Sequence, residues 1–151
     1  MIDADIILEK SAIVHRCLKR IVEMTGLKAS KLDDMMIQDA FVLNLQRAIQ
    51  AAMDLAAHVV SEEKLGMPTS LKDQFKFLAE GKIIDASLSK HLQAMVGFRN
   101  IAVHQYQELN VDILKKILQN HLKDLEDFTK TLLKHYCVSE KVLAKKVKRR
   151  K

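Results

Sequence analysis

The side chains best suited to chemistry lie in one short stretch, residues 97 to 106, with the sequence GFRNIAVHQY. It places the guanidinium of Arg99, the amide of Asn100, the imidazole of His104 and the phenol of Tyr106 around an apolar turn. A histidine exchanges protons near neutral pH, and a guanidinium binds phosphate oxygens through parallel hydrogen bonds. An RNA substrate supplies its own 2′-hydroxyl as nucleophile, so neither a protein nucleophile nor a metal ion is required. These are the groups that a metal-independent phosphate chemistry would use, and Arg99, His104 and Asn100 are its candidate catalytic residues.

Helix geometry restricts how these side chains can meet. At 100° per residue, Asn100 and His104 lie about 40° apart around a helix, whereas Arg99 and His104 lie about 140° apart. Arg99 and His104 therefore cannot point to one place from a regular helix of one chain. Either the helix breaks before His104, or the same motif from a second copy completes the site across a two-fold axis. Gly97, which lacks a side chain, would permit the close approach of another helix.

Each of these residues also has a simpler interpretation. His104 could be a helix-end histidine that binds a backbone carbonyl, and Asn100 could make only a local hydrogen bond. Tyr106 could be an amphipathic ring packed at a helix end. Arg47, from an earlier helix, could reach the site, although a charge on the polar stripe of that helix is the simpler explanation.

Composition favours an all-α fold. The chain has only four Gly and one Pro, and no Trp. These are too few turn-forming residues for several short strands and tight hairpins. Hydrophobic periodicity predicts a compact antiparallel bundle of about five helices. We expect these helices near residues 4–25, 34–64, 71–80, 85–104 and 110–136.

The second predicted helix is unusual because it is apolar around most of its circumference. A narrow polar stripe is its exception, formed by Asp39, Gln46, Gln50, Asp54 and His58. Such a helix is expected at the centre of the bundle or at a subunit contact.

The positive charge is concentrated at the C-terminal end. The net charge is +6, and residues 139–151 hold seven of the 25 Lys and Arg residues and one of the 19 Asp and Glu residues. That leaves 18 of each sign in residues 1–138, so we expect a neutral helical domain there and a basic, flexible tail at 139–151. The tail is either a solvated extension or a segment attracted to RNA, which salt-sensitive binding would reveal.

Other classes of site and location are disfavoured. Cys17 and Cys137 are far apart and belong to no Cys/His cluster, and the histidines form no pair at the i, i+4 spacing of metal ligands. We therefore expect no metal site, no disulfide and no cofactor. The chain has no signal-peptide pattern and no apolar run long enough for a membrane span, so a cytoplasmic protein that does not contact a membrane is expected.

The block RNIAVHQY resembles the HEPN superfamily, whose motif is R-x4-6-H, and within it the HepT-like toxins of prokaryotic toxin–antitoxin modules. The resemblance extends over residues 1 to about 137 and includes NLQRAIQAAMDLA in the second helix. It implies a homodimer with a cleft between paired motifs, and a metal-independent endoribonuclease that leaves a 2′,3′-cyclic phosphate and a 5′-hydroxyl. Arg99 and His104 match the catalytic pair, and Asn100 matches the polar residue that follows the arginine.

The resemblance also implies a protein partner. Tyr106 matches a tyrosine to which, in similar modules, a minimal nucleotidyltransferase antitoxin (MntA-like) adds adenylyl groups and so silences the toxin. The basic tail is not part of the family pattern. Two further interpretations stay open. One is a non-catalytic HEPN-like module for nucleotide binding or partner docking, and the other is a helical bundle that binds nucleic acid mainly through its basic tail. Only the enzyme would yield cyclic phosphate ends.

Overall fold

A computed structural model of the protein describes residues 2–138, which contain six α-helices and no strand. Two short 3₁₀ segments, Ala29–Asp33 and Tyr106–Glu108, lie between helices. The all-α prediction is confirmed; the predicted tail, 139–151, lies outside the described residues. The helices are α1 Ala4–Thr25, α2 Met35–Glu62, α3 Asp73–Glu80, α4 Ala86–His104, α5 Val111–Asn120 and α6 Leu122–His135.

Local capping interactions set most helix boundaries. The carboxylate of Asp34 accepts hydrogen bonds from the first backbone N–H groups of α2, and that of Asp85 does so for α4. Asn110 caps α5 in the same way. Helix α1 ends at Gly26, whose φ of +59° is left-handed and whose N–H reaches back to Val22.

Helix α2 lies at the centre of the bundle, as its apolar composition predicts. It packs against α1, α3, α4 and α6. The core it shares with them includes an edge-to-face contact between Phe75 and Phe128, with ring centroids 5.4 Å apart. Among the described residues, no helix combines the length and apolar character needed to cross a membrane.

The single fifth helix predicted for residues 110–136 is wrong in one respect, because the chain divides there into α5 and α6. The break is at His121, where φ is −120°. Helix α5 packs on the 3₁₀ segment Ala29–Asp33, whereas α6 packs on α1, α2 and α4. The apolar faces of the two helices therefore cover different neighbours, and the break at His121 lies between them. Helical spacing continues across the break, so periodicity alone does not reveal it.

Candidate active site at the end of α4

The motif lies on the last two turns of α4 and in the turn that follows. The helix continues unbroken through His104, and the backbone departs from helical geometry at Gln105, where φ is −139° and ψ is 48°. The N–H of Gln105 still donates to the carbonyl of Ile101 at 2.7 Å. Of the two alternatives, a helix break before His104 is therefore wrong.

Arg99 is half-buried and held from two sides. One terminal nitrogen donates to Oε1 of Gln50 on α2 at 2.8 Å, and the other donates to Oδ1 of Asn100 at 3.3 Å. A guanidinium has five N–H donors, so these bonds leave others for a substrate. Asn100 does make a local hydrogen bond, as its simpler interpretation holds, and that bond is to Arg99.

A second layer of contacts orients Gln50. Its side-chain nitrogen donates to Oδ1 of Asp54 at 2.8 Å. The other oxygen of that carboxylate lies 3.1 Å from the ammonium nitrogen of Lys10 on α1. Because the amide nitrogen of Gln50 is engaged by Asp54, its oxygen faces Arg99. Three helices thus determine where the guanidinium points.

His104 is exposed in the last turn of α4. Within residues 2–138 its imidazole has no hydrogen-bond partner, so the backbone-carbonyl interpretation is not observed. Since α4 is continuous and Arg99 faces α2, His104 projects about 140° away from Arg99. Two apolar neighbours, Ile101 and Val103, are 45% and 47% exposed.

Tyr106 lies just past the helix and is tied back to α2. Its hydroxyl donates a hydrogen bond to Oδ1 of Asp39, and the residue is 40% exposed. Desolvation first, and then the hydrogen bond and negative charge of Asp39, raise the pKa of Tyr106 to about 12. The phenol is therefore protonated at neutral pH.

The polar stripe of α2 contacts the motif, a role that sequence reasoning did not assign to it. Asp39 binds Tyr106 and Gln50 binds Arg99; they are eleven residues apart, or about 20° around the helix. The sequence signal that could have indicated this contact is the repetition of polar residues at helical spacing on an otherwise apolar helix.

Two other residues from the sequence do not join the site within one chain. Arg47 is exposed on α2. Burial raises the pKa of the Cys17 thiol in α1, and the positive charge of Arg47 is one of the smaller influences that lower it. At Gly97 the space that a Cβ would occupy faces the end of the Lys72 side chain, at 3.5 Å. The close helix approach expected at Gly97 is thus not made inside the described chain.

The fold also assembles a group of possible metal ligands that the spacing of histidines did not predict. His91 and His121 both contact the carboxylate of Asp124, and the ligand atoms of the three residues lie within 4.8 Å of one another. They come from α4, from the α5–α6 junction and from α6, so no short motif reveals them.

A family model and a characterised relative both match this chain over most of its length. A family model described as Ribonuclease HepT-like matches residues 14–132. The mRNA nuclease HepT of Shewanella oneidensis is 46% identical over 124 residues, which cover 82% of this chain and 93% of that protein.

Solved structures agree. A toxin–antitoxin complex with AMP-PNP contains a chain with a TM-score of 0.80 and 44% identity, covering 85% of this chain and 97% of that one. A tri-AMPylated Shewanella oneidensis HEPN toxin in complex with MNT antitoxin has a TM-score of 0.80 and 45% identity, covering 85% and 96%. YutE of Bacillus subtilis, 17% identical with a TM-score of 0.77, shares the fold, and its coverage is 91% and 95%.

The ionisation of Tyr106 provides a test of its contact with Asp39. We expect Asp39→Asn to lower the pKa of Tyr106 from about 12 while leaving it above 10, because the negative charge of Asp39 is lost and the desolvation of the phenol remains. Tyr136, whose pKa is also raised to about 12, is replaced by Phe in both proteins so that one tyrosine is observed. Phenolate absorbance at pH 10.5, with circular dichroism to confirm folding, should be larger in Asp39→Asn. Equal absorbance would contradict the contact.

Proposed function

Because the chain belongs to the ribonuclease HepT-like family, we propose that it is the RNA-cleaving toxin of a toxin–antitoxin pair and that the end of α4 carries the chemistry. The match over residues 14–132 confirms the predicted HEPN-type family and ribonuclease class. The observation that carries the assignment of the site is the guanidinium of Arg99, which Gln50 and Asn100 hold with donors left over, on the same helix as the exposed imidazole of His104.

In the proposed reaction His104 removes the proton from a 2′-hydroxyl of RNA. The 2′-oxygen bonds to the adjacent phosphorus and the bond to the 5′-oxygen breaks, leaving a 2′,3′-cyclic phosphate. The departing oxygen takes a proton from water or from a second imidazole and becomes a 5′-hydroxyl. Arg99 stabilises the charge that develops on the phosphoryl oxygens; its donors are already oriented, so little reorganisation is needed.

We further propose that the working enzyme is a homodimer. Within one chain Arg99 faces α2 and His104 faces away from it, so one phosphate cannot readily contact both. A two-fold axis through the ends of two α4 helices would bring Arg99 of one protomer towards His104 of its partner. Ile101 and Val103, nearly half exposed on either side of this end of the helix, supply apolar surface that such a contact would bury.

Substitution of the motif tests the chemistry. We expect His104→Ala to reduce cleavage by about 10² to 10⁴-fold, the usual contribution of a general base, and Arg99→Ala by about 10² to 10³-fold. The assay is cleavage of RNA in EDTA with identification of cyclic phosphate and 5′-hydroxyl ends. His135→Ala and Arg20→Ala are matched controls, because both side chains are exposed and far along the sequence from the motif. Undiminished cleavage by His104→Ala would exclude its proposed role.

Mixing of inactive variants tests the composite site. Arg99→Ala and His104→Ala dimers should each be inactive, but a heterodimer would retain one intact Arg99 and one intact His104 on different protomers. We expect subunit exchange between them to restore part of the cleavage activity. Exchange is followed independently by native mass spectrometry with one isotope-labelled partner. Heterodimers that form without any gain in activity would argue against a shared site, and a monomeric mass would argue against the dimer.

Tyr106 is the proposed site of silencing by an MntA-like nucleotidyltransferase. Its phenolic oxygen would attack the α-phosphorus of ATP, pyrophosphate would leave, and the proton would pass to Asp39, which already accepts the hydroxyl hydrogen bond. The adduct would place a negative phosphodiester and a bulky nucleoside two residues from His104. Both would oppose entry of an RNA phosphate. The AMPylated state of the Shewanella toxin supports this proposal.

Intact mass tests the site of modification. Incubation with an MntA-like enzyme and ATP should add at least one adenylyl unit to the wild-type chain and none to Tyr106→Phe. Tyr136→Phe is the matched control, since Tyr136 also donates its hydroxyl to a carboxylate, that of Glu63, but lies outside the motif. An adenylyl unit that persists in Tyr106→Phe would place the modification elsewhere.

A further inference from the structure

A cluster of two imidazoles and one carboxylate lies apart from the proposed active site. Nδ1 of His91, near the start of α4, is 3.3 Å from Oδ1 of Asp124. Nδ1 of His121, at the α5–α6 junction, is 3.1 Å from Oδ2 of the same carboxylate. The two imidazole rings meet edge to face, with centroids 5.7 Å apart. His91 precedes Arg99 by eight residues, about 12 Å along the helix axis.

The burial of Asp124 distinguishes this cluster from a chance contact between exposed side chains. Its side chain is only 6% exposed, whereas those of His91 and His121 are 46% and 40% exposed. A buried carboxylate requires compensating charge and hydrogen bonds. Both of its oxygens are directed at imidazole nitrogens, and a cation shared among the three groups would supply the charge without requiring either ring to be protonated.

The donor set indicates which ions would fit. Imidazole nitrogen with one carboxylate oxygen suits zinc and its neighbours in the first transition series, whereas calcium and magnesium prefer oxygen alone. Three protein ligands leave at least one coordination position for water, as in open zinc sites. The ligand atoms, within 4.8 Å of one another, need to close by only a small side-chain movement to reach the about 2.0–2.2 Å metal distances of zinc.

Open space on both sides gives an ion access to the cluster. One cavity of about 360 Å³ is lined by His91 and Asp124, by two further carboxylates, Asp85 and Asp127, and by one ammonium group, that of Lys130. Another of about 240 Å³ is lined by His91 and His121. A metal site needs such an entry path as well as ligands.

We propose that His91, His121 and Asp124 bind one zinc-type divalent ion per chain. The ion would link α4 to the α5–α6 junction, where the chain breaks its helix. This site is independent of the proposed RNA chemistry, since it uses none of the motif residues. Its role would be to hold the start of α4 against α6.

The experiment uses the tag-free, full-length protein stripped with EDTA and titrated with Zn²⁺ in a calorimeter, and with Co²⁺ followed by visible absorption. We expect one site per chain, with Co²⁺ absorption bands that Zn²⁺ abolishes. His91→Ala and His121→Ala should each weaken binding at least about tenfold, because each removes one ligand. His135→Ala and Glu9→Gln are the controls, because both side chains are exposed and line neither cavity, and both variants should bind like the wild type.

The outcomes distinguish a specific metal site from non-specific metal binding. Asp124 is buried and its replacement could unfold the chain, so the two half-exposed histidines carry the test, with circular dichroism as the check on folding. Loss of the site in both histidine variants and its retention in both controls supports the proposal. Absence of stoichiometric binding, or affinity unchanged in either His91→Ala or His121→Ala, overturns it. RNA cleavage is not a readout, so failure of this proposal leaves the proposed function intact.

Discussion

The hydrogen bond between Arg99 and Gln50 is the contact on which the arrangement of the site depends. Helix α2 is buried on most sides, and its narrow polar stripe is where a half-buried guanidinium can find a partner; an unpaired one would be costly. Asp54 and Lys10 then hold Gln50 in the orientation that accepts from Arg99. The guanidinium is thereby positioned by a chain of partly buried side chains from α1 and α2.

The same contact has a consequence for function. Since Arg99 is turned towards α2 and α4 stays helical through His104, the two groups diverge on one chain. A second copy is the simplest way to bring them to one phosphate, and the exposed apolar side chains beside them suit such a contact. The proposed homodimer would also account for RNA binding by residues 1–138, which hold equal numbers of acidic and basic residues, because two guanidinium groups in one cleft need no general excess of positive charge.

Much of the helical framework could be predicted because its signals are local. Asp34, Asp85 and Asn110 cap helices through neighbouring backbone groups, and Gly26 ends α1 with a left-handed residue. The break at His121 could not be predicted, since it follows from which neighbours α5 and α6 pack against. Periodicity shows which face of a helix is apolar, but it does not show whether one partner or two will cover that face.

For the site itself, the sequence by itself determined the chemical groups, their order on α4 and the 140° separation that prevents a single regular helix from converging them. These follow from residue identity and helix pitch. Only the tertiary structure decided that Gln50 and Asp39 contact Arg99 and Tyr106, and that His91, His121 and Asp124 meet. Contacts between distant segments depend on how helices pack around a common core, and the spacing of residues within one segment carries no record of that packing.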